Sequence, residues 1–579
     1  MLTKLSIRNL KRFDSVEIDL GRAVVFVGPN NSGKTTALQA LSLWRHGLLA
    51  WTAKRESGSV AEKRPGVALN RRDLIAIPVP SAKQLWRRLE TRHARKKSGK
   101  LETENIRIEI VVEGIDDLTG TAWTCGLEFD WGNEESFYCR PLRLEKSKNV
   151  GRMPVPPQAA DTKIAFLPPM SGIAAIEPRL ERGRVDVLLG EGQTAQVLRN
   201  LCHQIAEDRS DPGAWDEMSG HIKILFGVDL RRPTYLAARG EITMTYAEAN
   251  GTVLDIAAAG RGLQQTALLL SHVYANPRTI LLLDEPDAHL EILRQRQIYQ
   301  LLSSLAQEKG SQLICASHSE IVLNEAAERD VVVAFLGKPH RIDDRGAQLR
   351  KSLAEIGFDQ YYQAQSNGWV LYLEGSTDLA ILQAFAATLD HPARTALAQP
   401  FVRYVENQTG SARGHFRALK EAVPNLQGVA IFDRLQTTPD SPTDLAIRSW
   451  QKYEIENYLT RKDVLLAFAA HATADDLVGQ AESASRREAM GQAIEQIEAA
   501  LKALDKDPWS DDIKASTEVL EPIFRRYFER LKLPMLVRKS SAHILASFLP
   551  RAHISPEIVE TLDLIDATAR RAKRAEDSY

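Results

Sequence analysis

The sequence predicts an α/β protein: two α/β units in succession, followed by a helical C-terminal region. Three observations carry that expectation. An apolar strand at 23–27 runs into a glycine-rich loop and then a helix; another apolar run at 280–284 ends in carboxylates; and a third, at 369–373, opens a new strand–turn–helix after a polar stretch at 338–366. Helical patterns alternating with apolar strands mark a parallel sheet covered on both faces.

In chain order, residues 4–10 and 14–20 read as a hairpin and 23–27 as a buried strand, with a helix from 34 to about 43. The stretch 51–103 is rich in Arg and Lys and weakly periodic, so it reads as an arm or insertion, within an inserted region of about 51–250. Strands are expected at 105–113, 121–130 and 163–167, and helices at 194–208 and 213–226. From 252 to 335 the pattern is helix, strand, helix, strand, as in a doubly wound sheet. The domain boundaries are expected at 1–366, 367–470 and 471–579, the last all-helical.

Bulk properties exclude several classes. A chain of 579 residues is too long for one core. A net charge of −1 leaves no global attraction to nucleic acid, so any such binding needs local patches. The 4 cysteines are widely spaced, against a disulfide framework or a zinc knuckle. No apolar run approaches the ~20 residues that span a bilayer. With no signal-like segment at the N-terminus, a cytoplasmic protein without membrane attachment is expected.

The loop Gly28-Pro-Asn30-Asn31-Ser32-Gly33-Lys34-Thr35-Thr36 has P-loop spacing. Its glycines let backbone N–H groups curl around phosphate, Lys34 reaches the β/γ oxygens, and Thr35 can ligate Mg²⁺. At 280–286 a strand ends in Asp284, placed to hold Mg²⁺, and Glu285, placed to polarise the attacking water. A parallel strand at 313–317 ends at His318, a γ-phosphate sensor or simply a satisfied polar residue. These residues together resemble the ABC-type ATPases, specifically SMC-like heads. Gly260-Arg261-Gly262-Leu-Gln264, at the start of a helix, resembles the signature motif of that class. The resemblance implies that this motif caps the nucleotide of a second copy, and hence an ATP-dependent homodimer. Alanines 258 and 259 stand where the class has a serine, and Arg261 is a candidate substitute. The run Asp287-Ala-His289-Leu-Glu291 resembles the loop that couples the two sites, or is a plain helix cap.

Glu374-Gly-Ser-Thr-Asp378 follows the strand at 369–373, with both acids able to face one crevice at the sheet's C-terminal edge. It resembles the Toprim motif, though a helix cap would read the same. Asp433 ends another apolar strand. Toprim domains carry Asp-x-Asp there to hold Mg²⁺ or Mn²⁺; here Leu435 replaces the second acid. Glu454 and Glu456, expected to share one face of a strand, are candidate substitutes or ordinary surface carboxylates. Their string, Glu454-Ile-Glu456-Asn-Tyr, resembles a Toprim-like group of bacterial phage defence that includes the PARIS effector. Lys539 matches loosely, by position, a late lysine of OLD-family nucleases. An ATPase followed by Toprim is the order found in that family and in Gabija.

Two basic stretches, 87–100 and 570–574, are candidate sequence-independent phosphate contacts, or solvated loops. The resemblance implies an ATP-hydrolysing, metal-dependent nuclease acting on DNA or RNA in anti-phage defence; the need for a partner protein stays open. The other reading is an ATP-switched binding or sensor scaffold whose second metal site has decayed.

Overall fold

In the computed structural model, residues 57–65, 75, 98–99, 118, 144–150, 328, 343–356, 438–440, 472–476, 536, 538 and 573–579 lie outside the described residues. The chain forms two compact units, Met1–Arg350 and Lys351–Ala575.

The first unit holds two six-stranded sheets. One is antiparallel. Strands β1 (Leu2–Leu10) and β2 (Phe13–Asp19) form the expected hairpin. β1 then pairs with β5 (Ile108–Ile115), and β6 (Ala122–Trp131), β7 (Ser136–Pro141) and β4 (Val67–Asn70) follow outward. Much of the expected insertion therefore completes a sheet begun at the N-terminus. A further hairpin pairs Arg92–Lys97 with Lys100–Asn105.

The other sheet has the order β8 (Ile164–Leu167), β9 (Ile280–Asp284), β10 (Gln312–Ser317), β3 (Ala23–Val27), β11 (Val331–Ala334), β12 (His340–Arg341). All but β12 run parallel. β9 and β10 are buried at every position, as strands covered on both faces must be. The Gln312 side chain joins the two sheets: its amide oxygen accepts from the Leu2 amide at 2.8 Å, and its nitrogen donates to Leu2 and Gly21 carbonyls at 2.8 and 2.7 Å.

Helix α1 (Lys34–Glu56) runs well beyond the expected end near residue 43. It lies between the sheets, with Ala37, Leu38, Leu41, Trp44 and Leu48 all buried in a core shared with both. Its buried residues cover more than half of its circumference, leaving Gln39, Ser42 and His46 on the remainder, so there is little amphipathic period to read. Helices α2 (Arg261–Ala275) and α3 (Ile292–Glu308) pack into a second core on the opposite face of the parallel sheet. The four cysteines, all in this unit, are free and buried.

The second unit is built on a parallel sheet in the order β14 (Val402–Tyr404), β13 (Trp369–Leu373), β15 (Gln427–Phe432), β16 (Leu445–Ser449). Helix α4 (Ser376–Leu389) follows β13 and α5 (Thr409–Ala422) follows β14. Alternate residues of β13 face opposite cores: Trp369, Leu371 and Leu373 meet α4 and the helices beyond residue 460, while Val370 and Tyr372 meet α5. One expectation fails here. Residues Ile455–Tyr458 form a single 3₁₀ turn rather than a strand, because the Asn457 side chain accepts a hydrogen bond from the Glu454 amide at 3.1 Å and closes it.

Candidate functional site: a P-loop and a carboxylate crevice

In the first unit β3, β9 and β10 end at one edge of the parallel sheet, with Ser317 beside Val27 and Asp284 beside Ala316. The loop 28–33 leaves this edge and delivers Lys34 to the first turn of α1. Gly33 has φ +106°, in the region that favours glycine, and a Cβ there would sit 2.7 Å from the buried Phe13 ring. Lys34 is 6% exposed; its ammonium donates to the carbonyls of Gly28 at 2.6 Å and Pro29 at 2.9 Å. Burial lowers its pKa, opposed by Glu285, Asp284 and Asp287. Asn30, Asn31 and Thr35 are exposed, Thr36 is half-buried and Ser32 is buried.

Thr35 donates its hydroxyl to Asp284, 2.9 Å from the nearer oxygen. Burial pushes the Asp284 carboxyl up to about 6, against the Thr35 hydrogen bond. A hydroxyl and a carboxylate side by side at a strand edge are hard oxygen donors of the kind Mg²⁺ takes. Glu285 has φ +51°, an uncommon conformation for a non-glycine residue, and its amide donates to the Ala316 carbonyl. Its carboxylate lies 3.8 Å from His318 Nδ1. Thus Lys34, Thr35, Asp284, Glu285 and His318 are gathered at one edge. Asp287 is buried, which raises its pKa, and accepts from Ser317; His289 and Glu291 are exposed beyond it.

The signature-like segment separates into two parts. Gly260 and Arg261 are exposed and Gly262 is half-buried at the start of α2. Gln264, grouped by sequence with the nucleotide contacts, is instead buried, and its amide donates to the carbonyls of Ile256 and Ala257 at 3.1 and 3.2 Å. That side chain shapes the turn before the motif from within.

In the second unit Glu374 and Asp378 flank the turn between β13 and α4. Asp378 accepts from the amides of Glu374 at 3.0 Å and Gly375 at 3.3 Å, so it does cap the helix. Burial pushes its carboxyl up to about 6, and Glu374 adds to this. Asp433, at the end of β15, is raised far above the ordinary carboxylate range. Burial is the first cause; a hydrogen bond with Glu374 and the charges of Glu374, Asp378 and Glu454 add to it. Acids from three stretches, Glu374 with Asp378, Asp433 and Glu454, therefore lie close enough to influence one another.

Glu456 is 2% exposed within the 3₁₀ turn. Glu454 accepts from the Ser516 amide at 2.5 Å, a partner 62 residues on that no local pattern announces. Leu435 packs partly buried against the α5 core. Among the described residues no group of three or more His, Cys, Asp or Glu side chains stands ready to hold a metal. The Lys539 side chain lies outside the described residues, as do those of 94–100 in the basic run and residues 573–574.

Two family models match the first unit. "AAA ATPase domain" matches residues 1–46, and "AAA domain, putative AbiEii toxin, Type IV TA system" matches residues 190–324. No curated protein matches the chain. Similar solved structures include an SMC head bound to the C-terminal winged-helix domain of ScpA (15% identity, 59% of this chain, 97% of that one, TM-score 0.38). An SMC head from Thermotoga maritima matches at 14% identity, covering 59% and 98%, TM-score 0.33. A third, an SMC head with extended coiled coil bound to the C-terminal domain of ScpA derived from Pyrococcus furiosus, matches at 12%, covering 59% and 96%, TM-score 0.35. Likenesses this low add no weight to the geometry. No described helix is long and apolar enough to cross a membrane. The AAA-type matches fall on both halves of the phosphate site, on the loop around Lys34 and on the strand ending at Asp284: the first unit is a P-loop ATPase that binds ATP.

Proposed function

We propose that the protein is an ATP-regulated, metal-dependent nuclease of the OLD/Toprim type that acts in anti-phage defence. The observation that carries this reading is the convergence of Glu374, Asp378, Asp433 and Glu454 at the C-terminal edge of a parallel sheet. Crowded carboxylates repel one another, which with burial raises the Asp433 pKa. A divalent cation would relieve the repulsion, with Glu374 and Asp433 as its first ligands. Bound there, Mg²⁺ or Mn²⁺ would stabilise charge on the oxygens of a phosphodiester. The chain's own residues would orient the group: Asp378 fixes the turn that presents Glu374, and the Ser516 amide fixes Glu454.

In the first unit, Thr35 and Asp284 would hold the Mg²⁺ that accompanies ATP, Glu285 would orient water, and His318 lies beside Glu285. Gly260–Arg261, exposed at the start of α2, meets the nucleotide of a second copy. That association gates cutting. The substrate is DNA or RNA, engaged largely through its phosphates, and a partner defence protein can supply the trigger. A toxin in the description of one matching family is in keeping with an effector.

The test is a cleavage assay on plasmid DNA and tRNA with ATP and Mn²⁺. Wild type should nick or cut one of them, and Glu374→Gln should abolish cutting while leaving ATP hydrolysis intact. Cutting by Glu374→Gln at the wild-type rate would sink the assignment.

Two observations favour a second reading, the ATP-switched scaffold without nuclease activity: Leu435 in place of an acid, and the backbone hydrogen bonds that occupy Asp378 and Glu454. Calorimetric titration with Mn²⁺ separates the two. Binding that disappears in Asp433→Asn supports the nuclease; no binding supports the scaffold.

A further inference from the structure

The segment that leaves the nucleotide edge of the sheet and the exposed turn before α2 are joined by one buried side chain. β8 pairs in register with β9, Leu167 beside Leu283, so the chain from residue 168 onward departs next to Asp284. A few residues later it meets Arg199, which is 1% exposed. The Arg199 guanidinium donates to the Ala174 carbonyl at 2.7 Å and to Asp255 Oδ1 at 2.7 Å, and its backbone amide donates to Glu177 at 3.0 Å. Glu177 is fully buried and also accepts from the Asn200 amide and side chain at 2.6 and 2.7 Å.

Asp255 does two things with the same oxygen. It receives Arg199, and it accepts from the Ala257 amide at 2.8 Å, capping the turn Ile256–Ala258 that precedes Gly260. Gln264 braces that turn from inside. A second contact joins the same two segments: a Cβ on Gly172 would lie 3.4 Å from an Arg261 guanidinium nitrogen. The stretch 172–177 thus lies beside the motif at one end and is tied to it through Arg199 at the other.

We infer that Arg199 is a positioning residue for ATP turnover, holding the Asp255–Arg261 turn in register with the loop that leaves the Asp284 edge. A buried guanidinium strongly disfavours losing its partners, so loop and turn shift together or not at all. An apolar side chain of similar size would fill the same space without imposing that register. The inference rests on the proposed role of Gly260–Arg261 at a second copy's nucleotide.

The experiment compares wild type with Asp255→Asn in the full chain. Asn keeps an acceptor for the Ala257 amide and removes the charge facing Arg199; Asp255 is half-exposed, so folding is retained, and Arg199→Lys is the conservative companion. The readouts are kcat and KM for ATP, the Kd of a fluorescent ATP analogue, ATP-dependent association by light scattering, and Tm. Asp255→Asn should keep the analogue Kd within about twofold while lowering kcat about tenfold and weakening association, since tenfold corresponds to about 1.4 kcal/mol of lost transition-state stabilisation. Arg199→Lys should fall between. A wild-type kcat in Asp255→Asn overturns the inference, and so does a joint rise of Kd with a fall of kcat and Tm, which marks a merely structural role. A wild type that never associates with ATP overturns the head-to-head reading and this one together, whereas normal wild-type association with an indifferent Asp255→Asn overturns this one alone.

Discussion

Lys34 is held by two carbonyls of its own loop, in a pocket whose burial disfavours its charge. A phosphate in that place would replace weak partners with a strong one. Lys34→Ala should therefore abolish binding of a fluorescent ATP analogue while lowering Tm little. Glu285→Gln should bind ATP normally and hydrolyse it at least ~100-fold more slowly, the usual scale for losing a group that moves or orients a proton; phosphate release measures it. The acids at these positions were legible because phosphate chemistry demands particular residue types at fixed spacing, at the ends of apolar strands. Gln264 was not. Its amide can face a nucleotide or its own turn with the same sequence, and only the carbonyls of Ile256 and Ala257 decide between them.

At the scale of elements, strands were read well and the turn at 455–458 was not. Period-two spacing of Glu454 and Glu456 suits a strand, but Asn457 captured the Glu454 amide first, a competition between side chain and ladder for one donor. α1 was underestimated for a different reason: with both sheets against it, its apolar residues mark no single face. Packing makes a sharper prediction at β15. A Cβ on Gly428 would sit 2.7 Å from Leu445 Cδ1 and 2.8 Å from the Phe416 ring. Gly428→Ala should destabilise the second unit by about 1–3 kcal/mol through overpacking, read as a lower urea midpoint. On α2, His272 is 1% exposed and burial pushes its pKa down to about 4. The unfolded chain, with an ordinary histidine near 6.5, then binds a proton before the folded one does. Stability contributed by the neutral ring is full above pH ~6.5 and is lost as pH falls toward 4, by roughly 3 kcal/mol at about 1.4 kcal/mol per unit. Relative to wild type, His272→Leu should flatten the fall in urea stability between those two pH values.

Across the whole molecule, the antiparallel sheet joins residues 2–19 to 108–141, pairings no local pattern could reveal, and of the stretch 51–103 only Val67–Asn70 enters that sheet. Two units with separate cores also predict two thermal transitions. ATP with Mg²⁺ should raise one and leave the other in place, by the mass-action stabilisation expected of a ligand that binds one folded unit; scanning calorimetry checks this.

The thiols give the two units different visibility. All 4 cysteines of the chain, Cys125, Cys139, Cys202 and Cys315, are interior to the ATPase unit, and none lies beyond residue 350. Burial raises every one of them, Cys125 to about 12, so the native protein offers almost no thiolate to an alkylating reagent. Iodoacetamide uptake therefore clocks the opening of the ATP-binding half and is blind to the carboxylate half, a built-in stopwatch for one part of the machine that needs no engineered label.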